Sequence, residues 1–248
     1  MELDRTLLLA LMIALFGGVV AATAGFGFSL VAAPPLLLMY EPVQVTAMLL
    51  IITMATRWML LLDTWRSTRV RAIGAMLPTA WLGIGLGILI VRAVEPDYIK
   101  LLASVVVIVA ALLLMRGWRP RHANAPAAAP FAGLLSGILS PTTGMDGTPV
   151  VFLLSSRNYD IPSFRSTITV YYYLIIPVTI LALVREGLLG RDDLLRALAV
   201  VPPVVLGTYI GQRLVVKRLS VERFRHIVFV LLLVSGVVGA IAAIGSMR

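Results

Sequence analysis

Seven stretches of this chain, near 6–24, 43–62, 72–92, 98–115, 166–184, 194–216 and 226–245, stay apolar for the roughly 17–25 residues a helix needs to cross a bilayer. Two further apolar stretches, 26–40 and 131–156, break into glycine, proline and small polar residues before reaching that length. The breaks are related. Gly25-Phe26-Gly27-Phe28-Ser29 follows the segment that begins at Gly17-Gly18, and Gly144-Met145-Asp146-Gly147-Thr148-Pro149 follows Gly133 to Thr143, 119 residues further on. Gly- or Pro-broken hydrophobic segments at corresponding positions of two halves are the sequence mark of a transporter's binding site.

Loop charge orients the spans, because basic loops stay on the cytoplasmic side. Loops 63–71 (Arg66, Arg69, Arg71), 116–122 (Arg116, Arg119, Arg121) and 217–225 (Lys217, Arg218, Arg223, Arg225) are basic, whereas 93–100 and 185–193 are near neutral. Gly83, Gly85 and Gly87 match Gly207 and Gly211 at an offset of 124, and Val43 to Thr46 matches Phe164 to Thr167. The basic loop of one half then corresponds to the neutral loop of the other, which predicts inverted repeats. The expected fold is an all-α integral membrane protein of two inverted-topology repeats, residues 1–116 and 131–248. Each has a Gly-broken helical hairpin and three transmembrane helices, and the Pro- and Ala-rich segment 117–130 is a cytoplasmic linker. Segment 131–163 is expected to enter and leave on the cytoplasmic face and 6–40 on the outer face, with both termini outside. If both arms of each pair crossed fully, the count would rise from six spans to ten. The N-terminus lacks a clean cleavage pattern and reads as a retained first segment.

Composition agrees with lipid as the main solvent: 60% of residues are hydrophobic and only 13% charged. The absence of cysteine excludes disulfides and thiolate metal sites. The net charge of +9 lies in short loops, which argues for the positive-inside bias and against nucleic-acid binding. His122 and His226 stand alone among arginines, and no HExxH, P-loop or Gly-x-Ser-x-Gly occurs. An enzyme, a metal and a cofactor are therefore not expected.

Candidate chemistry gathers at the breaks. Helix N-termini carry partial positive charge, so broken ends meeting near the midplane suit an anion. Gly25, Gly27, Gly144 and Gly147 would let a substrate approach the backbone, and Ser29, Thr143 and Thr148 would add hydroxyls; the alternative is close helix packing. Asp146 is a carboxylate inside the membrane, expected to be a proton carrier, a cation ligand or the N-cap of the next helix. Arg57 either snorkels to the cytoplasmic interface or binds an anion. Gln44 and Arg165, equivalent positions just after each break, are further candidates. Of Tyr171, Tyr172 and Tyr173, helical spacing lets at most two line one pathway.

These residues resemble the sulfite exporter TauE/SafE family of membrane transporters. The resemblance rests on Gly25-Phe26-Gly27-Phe28 with Pro34, on Gly144-Met145-Asp146-Gly147-Thr148-Pro149, on Phe164-Arg165-Ser166-Thr167, on the helix of Gly207 and Gly211, and on Ser220 to Arg225. It implies transport of sulfite, sulfoacetate or a related organosulfonate across the bacterial inner membrane. The substrate would be a small anion held by broken-helix amides with Arg165 or Arg57. Alternating access with proton coupling through Asp146 is the expected mechanism; an anion channel, or a membrane-embedded enzyme or assembly factor, are the alternatives. A homodimer is the assembly expected from the habit of membrane transporters.

Overall fold

The structure is a computed structural model that describes residues 5–24, 28–118, 120, 122–157, 159–210 and 221–247. Every regular element among the described residues is helical. In chain order these are α1 (Arg5–Ala24), α2 (Phe28–Leu37), α3 (Pro42–Thr64), α4 (Val70–Ala93) and α5 (Pro96–Met115), with a 3-10 turn at Trp65–Ser67. After the linker come α6 (Ala128–Thr143), α7 (Gly147–Ser155), α8 (Ile161–Arg185), α9 (Arg191–Ala199), α10 (Val201–Ile210) and α11 (Val221–Ser246). The helices Val70–Ala93, Pro96–Met115 and Ile161–Arg185, and the pair Arg191–Ile210, are long and apolar enough to cross a membrane.

The last of these corrects one expectation. The stretch read as a single span from 194 is two helices, with Val200 between them. Pro202 and Pro203 follow immediately, and neither can donate the N–H that would carry the ladder across that turn.

The two arms expected at 131–156 form a hairpin. At about 1.5 Å per residue α6 is roughly 24 Å long and α7 only about 14 Å, too short to cross about 30 Å of hydrocarbon. Gly144 turns the chain in the left-handed region (φ 65°), which favours glycine. The far end of α7 returns to the linker, where Arg157 donates to the Ala123 carbonyl at 2.9 Å and Trp118 meets Phe152 edge to face.

Helix packing explains many of the glycines among the described residues. A methyl on Gly133 would meet the Met76 carbonyl, one on Gly137 the Ala80 carbonyl, and one on Gly87 the Ile138 carbonyl and the Pro141 ring. Residue numbers rise together along this contact, so α4 and α6 run parallel with their backbones touching. The same contact recurs elsewhere. Gly83 abuts the Leu134 carbonyl as Gly207 abuts that of Leu15, and Gly137 abuts Ala80 as Gly18 abuts Val204. Leu15 and Leu134, like Gly18 and Gly137, are 119 residues apart; Ala80 and Val204, like Gly83 and Gly207, are 124 apart. Helices α3 and α8 instead cross antiparallel: Tyr173 donates to the Met54 carbonyl at 2.7 Å, and Thr68 bonds Ser166 at 2.6 Å. So do α5 and α11, where Gly239 sits against Ser104 and Gly236 against Val107 and Ile108.

Replacing Gly137 by Val should destabilise the fold by about 1–3 kcal/mol or more, since a backbone carbonyl cannot move aside. Gly85, with open space around it, should accept Ala within about 0.5 kcal/mol. Thermal melts of the detergent-purified variants measure the contrast.

Candidate functional site

The α6–α7 break is walled by α3 on one side and α8 on the other. Residues Thr142 to Gly147 are all buried, although the break interrupts the helical hydrogen-bond ladder. Part of the lost bonding is replaced locally: Gly144 N–H donates to Ser140 and Thr148 N–H to Met145. The Thr142 and Thr143 hydroxyls donate back to Ile138 and Leu139. A polar seam ties the hairpin to α8, where the Tyr171 hydroxyl donates to Ser136 at 2.9 Å and Ser140 pairs with Thr179 at 2.9 Å.

Asp146 lies in the middle of this break, only 2% exposed. It occupies the position before α7 but makes no side-chain capping bond there, so the N-cap role is not realised. Its Oδ2 has no hydrogen-bond partner, nor do the buried hydroxyls of Thr46 and Thr169 on the flanking helices. Buried polar atoms are rarely left unpaired, because each costs the desolvation of the group. Thr46 is beside the turn, its Cα close to Gly144, and Thr169 is one helical turn from Tyr172.

The cation of this region is Arg57. Its guanidinium stacks 5.0 Å from the centre of the Tyr172 ring and is near enough to Asp146 for direct electrostatic interaction. The Tyr172 hydroxyl in turn presses on Gly147 so closely that a methyl there would collide with it. Arg57, Tyr172, Gly147 and Asp146 therefore form one connected group from three helices.

The other sequence candidates fall in different places. Gln44 donates to the Asp193 carboxylate at 2.9 Å, and Arg165 is exposed at the start of α8. Ser29 is half-buried on α2, and Thr148 half-buried in the first turn of α7. Gly25 and Gly27 lie outside the described residues. Thr46, Thr169 and Tyr172 are additions that composition and spacing did not single out. A signal for Tyr172 existed in the triple tyrosine, but only packing tells which of the three faces the break. Among the described residues there is no cluster of metal-ligating side chains.

Gly147→Ala should cost about 1–3 kcal/mol through its clash with Tyr172. Tyr172→Phe in the same chain should return part of that loss, because it removes the colliding oxygen. A double-mutant cycle of melting curves reads the coupling, and strict additivity would contradict the contact.

No curated protein and no solved structure matches the chain. A family model does: that of the sulfite exporter TauE/SafE, over residues 10–239. The match runs from α1 into α11 and so takes in the α6–α7 break and nearly every helix described above. The protein belongs to the sulfite exporter TauE/SafE family, whose members are membrane transporters rather than enzymes.

Proposed function

We propose that this protein is a secondary transporter that carries a small sulfur oxyanion, such as sulfite or an organosulfonate, across the bacterial inner membrane by alternating access. The observation that carries this reading is the α6–α7 break, with the buried Asp146 carboxylate facing Arg57. Substrate oxygens would be held by Arg57, the Thr46 hydroxyl and the N-terminal end of α7 at Gly147 and Thr148, with Thr143 and Gly144 shaping the turn. Ser29, and Gly25 and Gly27 of the first break, would complete the site, with Gln44 and Arg165 on the routes toward it.

The architecture we infer is two inverted repeats, 1–116 and 131–248, joined by a cytoplasmic linker at 117–130. Two observations support it. The glycine contacts of α4 with α6 recur in α10 with α1 at the same offsets, so each hairpin packs on a helix of the other half. The corresponding helices α3 and α8, and α5 and α11, cross antiparallel, as a two-fold axis in the membrane plane requires. With the basic loops inside, both termini would be outside.

Charge balance supports proton coupling. Arg57 and ionised Asp146 together are neutral, so a bound monoanion would add an uncompensated charge in a low-dielectric site. A proton on Asp146 removes that charge and releases Arg57 to the anion. Proton and anion then favour each other's binding by the same factor.

In proteoliposomes, flux of sulfite or sulfoacetate should saturate and rise as pH falls, by at most about tenfold per pH unit for one proton. Asp146→Asn should transport with little pH dependence, and unchanged pH dependence would remove Asp146 as the carrier. In parallel, sulfite, sulfoacetate, taurine, sulfate and thiosulfate can be screened by thermal shift. Arg57→Gln should abolish the shift given by the true substrate, and no saturable flux of any of the five would sink the transport reading.

A further inference from the structure

A substrate leaving the break would have to reach one of the two ends of the helix bundle. Toward the linker end, a substrate would pass between the α3–α4 turn and the start of α8. Toward the opposite end, it would pass between the starts of α3 and α9. Each route is crossed by side chains of the two halves that bond each other.

At the linker end, Thr68 bonds Ser166 at 2.6 Å and the Arg69 N–H donates to the Thr167 hydroxyl at 3.0 Å. The Arg69 side chain meets Asp160 at 3.4 Å and stacks 5.5 Å from the centre of the Tyr159 ring. At the opposite end, the Gln44 amide donates to Asp193 at 2.9 Å. The two junctions lie at corresponding helix starts, although the bonded residues differ: Gln44 stands two positions before the counterpart of Thr167. Thr46 matches Thr167, and Arg69 is 124 residues before Asp193, the offset that relates Gly83 to Gly207. Both join the start of a long helix in one half to the start of the next helix in the other.

These junctions suit a part that opens. Arg69 and Asp160 are each more than half exposed, and an exposed ion pair adds little stability. The remaining contacts at the linker end are two hydroxyl bonds, to the buried Ser166 and Thr167, and the stacking of Arg69 on Tyr159. The interior tells the opposite story: at α4–α6 the backbones touch through glycines, a contact that leaves no room for sliding. Thr169 lies between the two regions, fully buried with its hydroxyl unpartnered, one turn beyond Ser166 and one turn short of Tyr172.

We infer that Thr68, Arg69, Asp160 and Ser166 form the gate at the linker end, and Gln44 with Asp193 the gate at the other end, both closed here as in an occluded state. The inference rests on the transport reading for its purpose, and its parts can be tested apart from it.

The chain has no cysteine, so introduced pairs act alone. Thr68→Cys with Ser166→Cys brings two sulfurs to where two bonded oxygens now sit, close enough for a disulfide. Reduced, this variant should transport; oxidised, it should lose flux by about tenfold or more, and reductant should restore it. At the other end the Gln44 and Asp193 side chains meet only at their tips, so Gln44→Cys with Asp193→Cys should lose flux when bridged by a short bifunctional thiol reagent, relative to the same variant unbridged. Equal flux of the oxidised and reduced forms overturns the gate but leaves transport standing, whereas no flux in wild-type protein overturns transport. A second readout needs no flux. Thr169→Cys should be alkylated slowly by a polar maleimide, and about fivefold or more faster when Arg69→Ala opens the linker end. An unchanged rate in Arg69→Ala overturns the gate.

Discussion

Backbone amides and carbonyls between Ser140 and Val150 belong to helices that stop partway, and hydrocarbon offers them no partner. Each group left bare would cost several kcal/mol, so the hairpin survives only where protein surrounds it. Much of the fold follows from that requirement. Helix α4 lies against α6 at backbone contact distance, which glycines at 83, 87, 133 and 137 allow. On the other side α8 supplies Tyr171 and Thr179 to the serines of α6. The turn itself is closed by Gly144 in a conformation most residues avoid.

The same enclosure makes Asp146 consequential. A carboxylate in the first turn after a break would be unremarkable in water, but here it is shut in with Arg57 and Tyr172. Tyr172 connects the pair to the break: its ring receives the guanidinium and its hydroxyl bears on Gly147. A change in the charge of Asp146 or the position of Arg57 is thereby felt at the N-terminus of α7. At the rim the halves are joined through side chains, Thr68 to Ser166, Arg69 to Asp160 and Gln44 to Asp193, whereas α4 and α6 meet through their backbones. Asp160 illustrates the rim. It caps α8, and the bonds from Ser163, aided by Arg69, hold its carboxyl below the usual carboxylate range. It therefore stays ionised, and available to Arg69, throughout the neutral range.

Much of the architecture could be read from the chain, for a physical reason. A bilayer fixes how long a helix must be, so α3, α4, α5, α8 and α11 begin and end within a few residues of their apolar stretches. The hairpin at 131–156 was visible because α7 is too short for that length. The break between α9 and α10 does not show in the length of its apolar run, because it comes from the donors that Pro202 and Pro203 lack.

The candidate site divides differently. The position and residue types of the second break, with Asp146 between two glycines, are properties of the sequence alone, since only glycine and small polar residues tolerate such a turn inside a membrane. Which cation faces it is not. By position Arg165 and Gln44 looked equivalent, yet α8 leaves Arg165 exposed at its start and α9 engages Gln44 through Asp193. Arg57 instead meets the break because α3 crosses α8 antiparallel near Tyr172. The choice of Tyr172 over its two neighbours follows from that crossing, for three adjacent residues on a helix differ only in direction. Periodicity and charge thus determined what spans and where it breaks; the crossing of helices distant in sequence decided which side chains meet there.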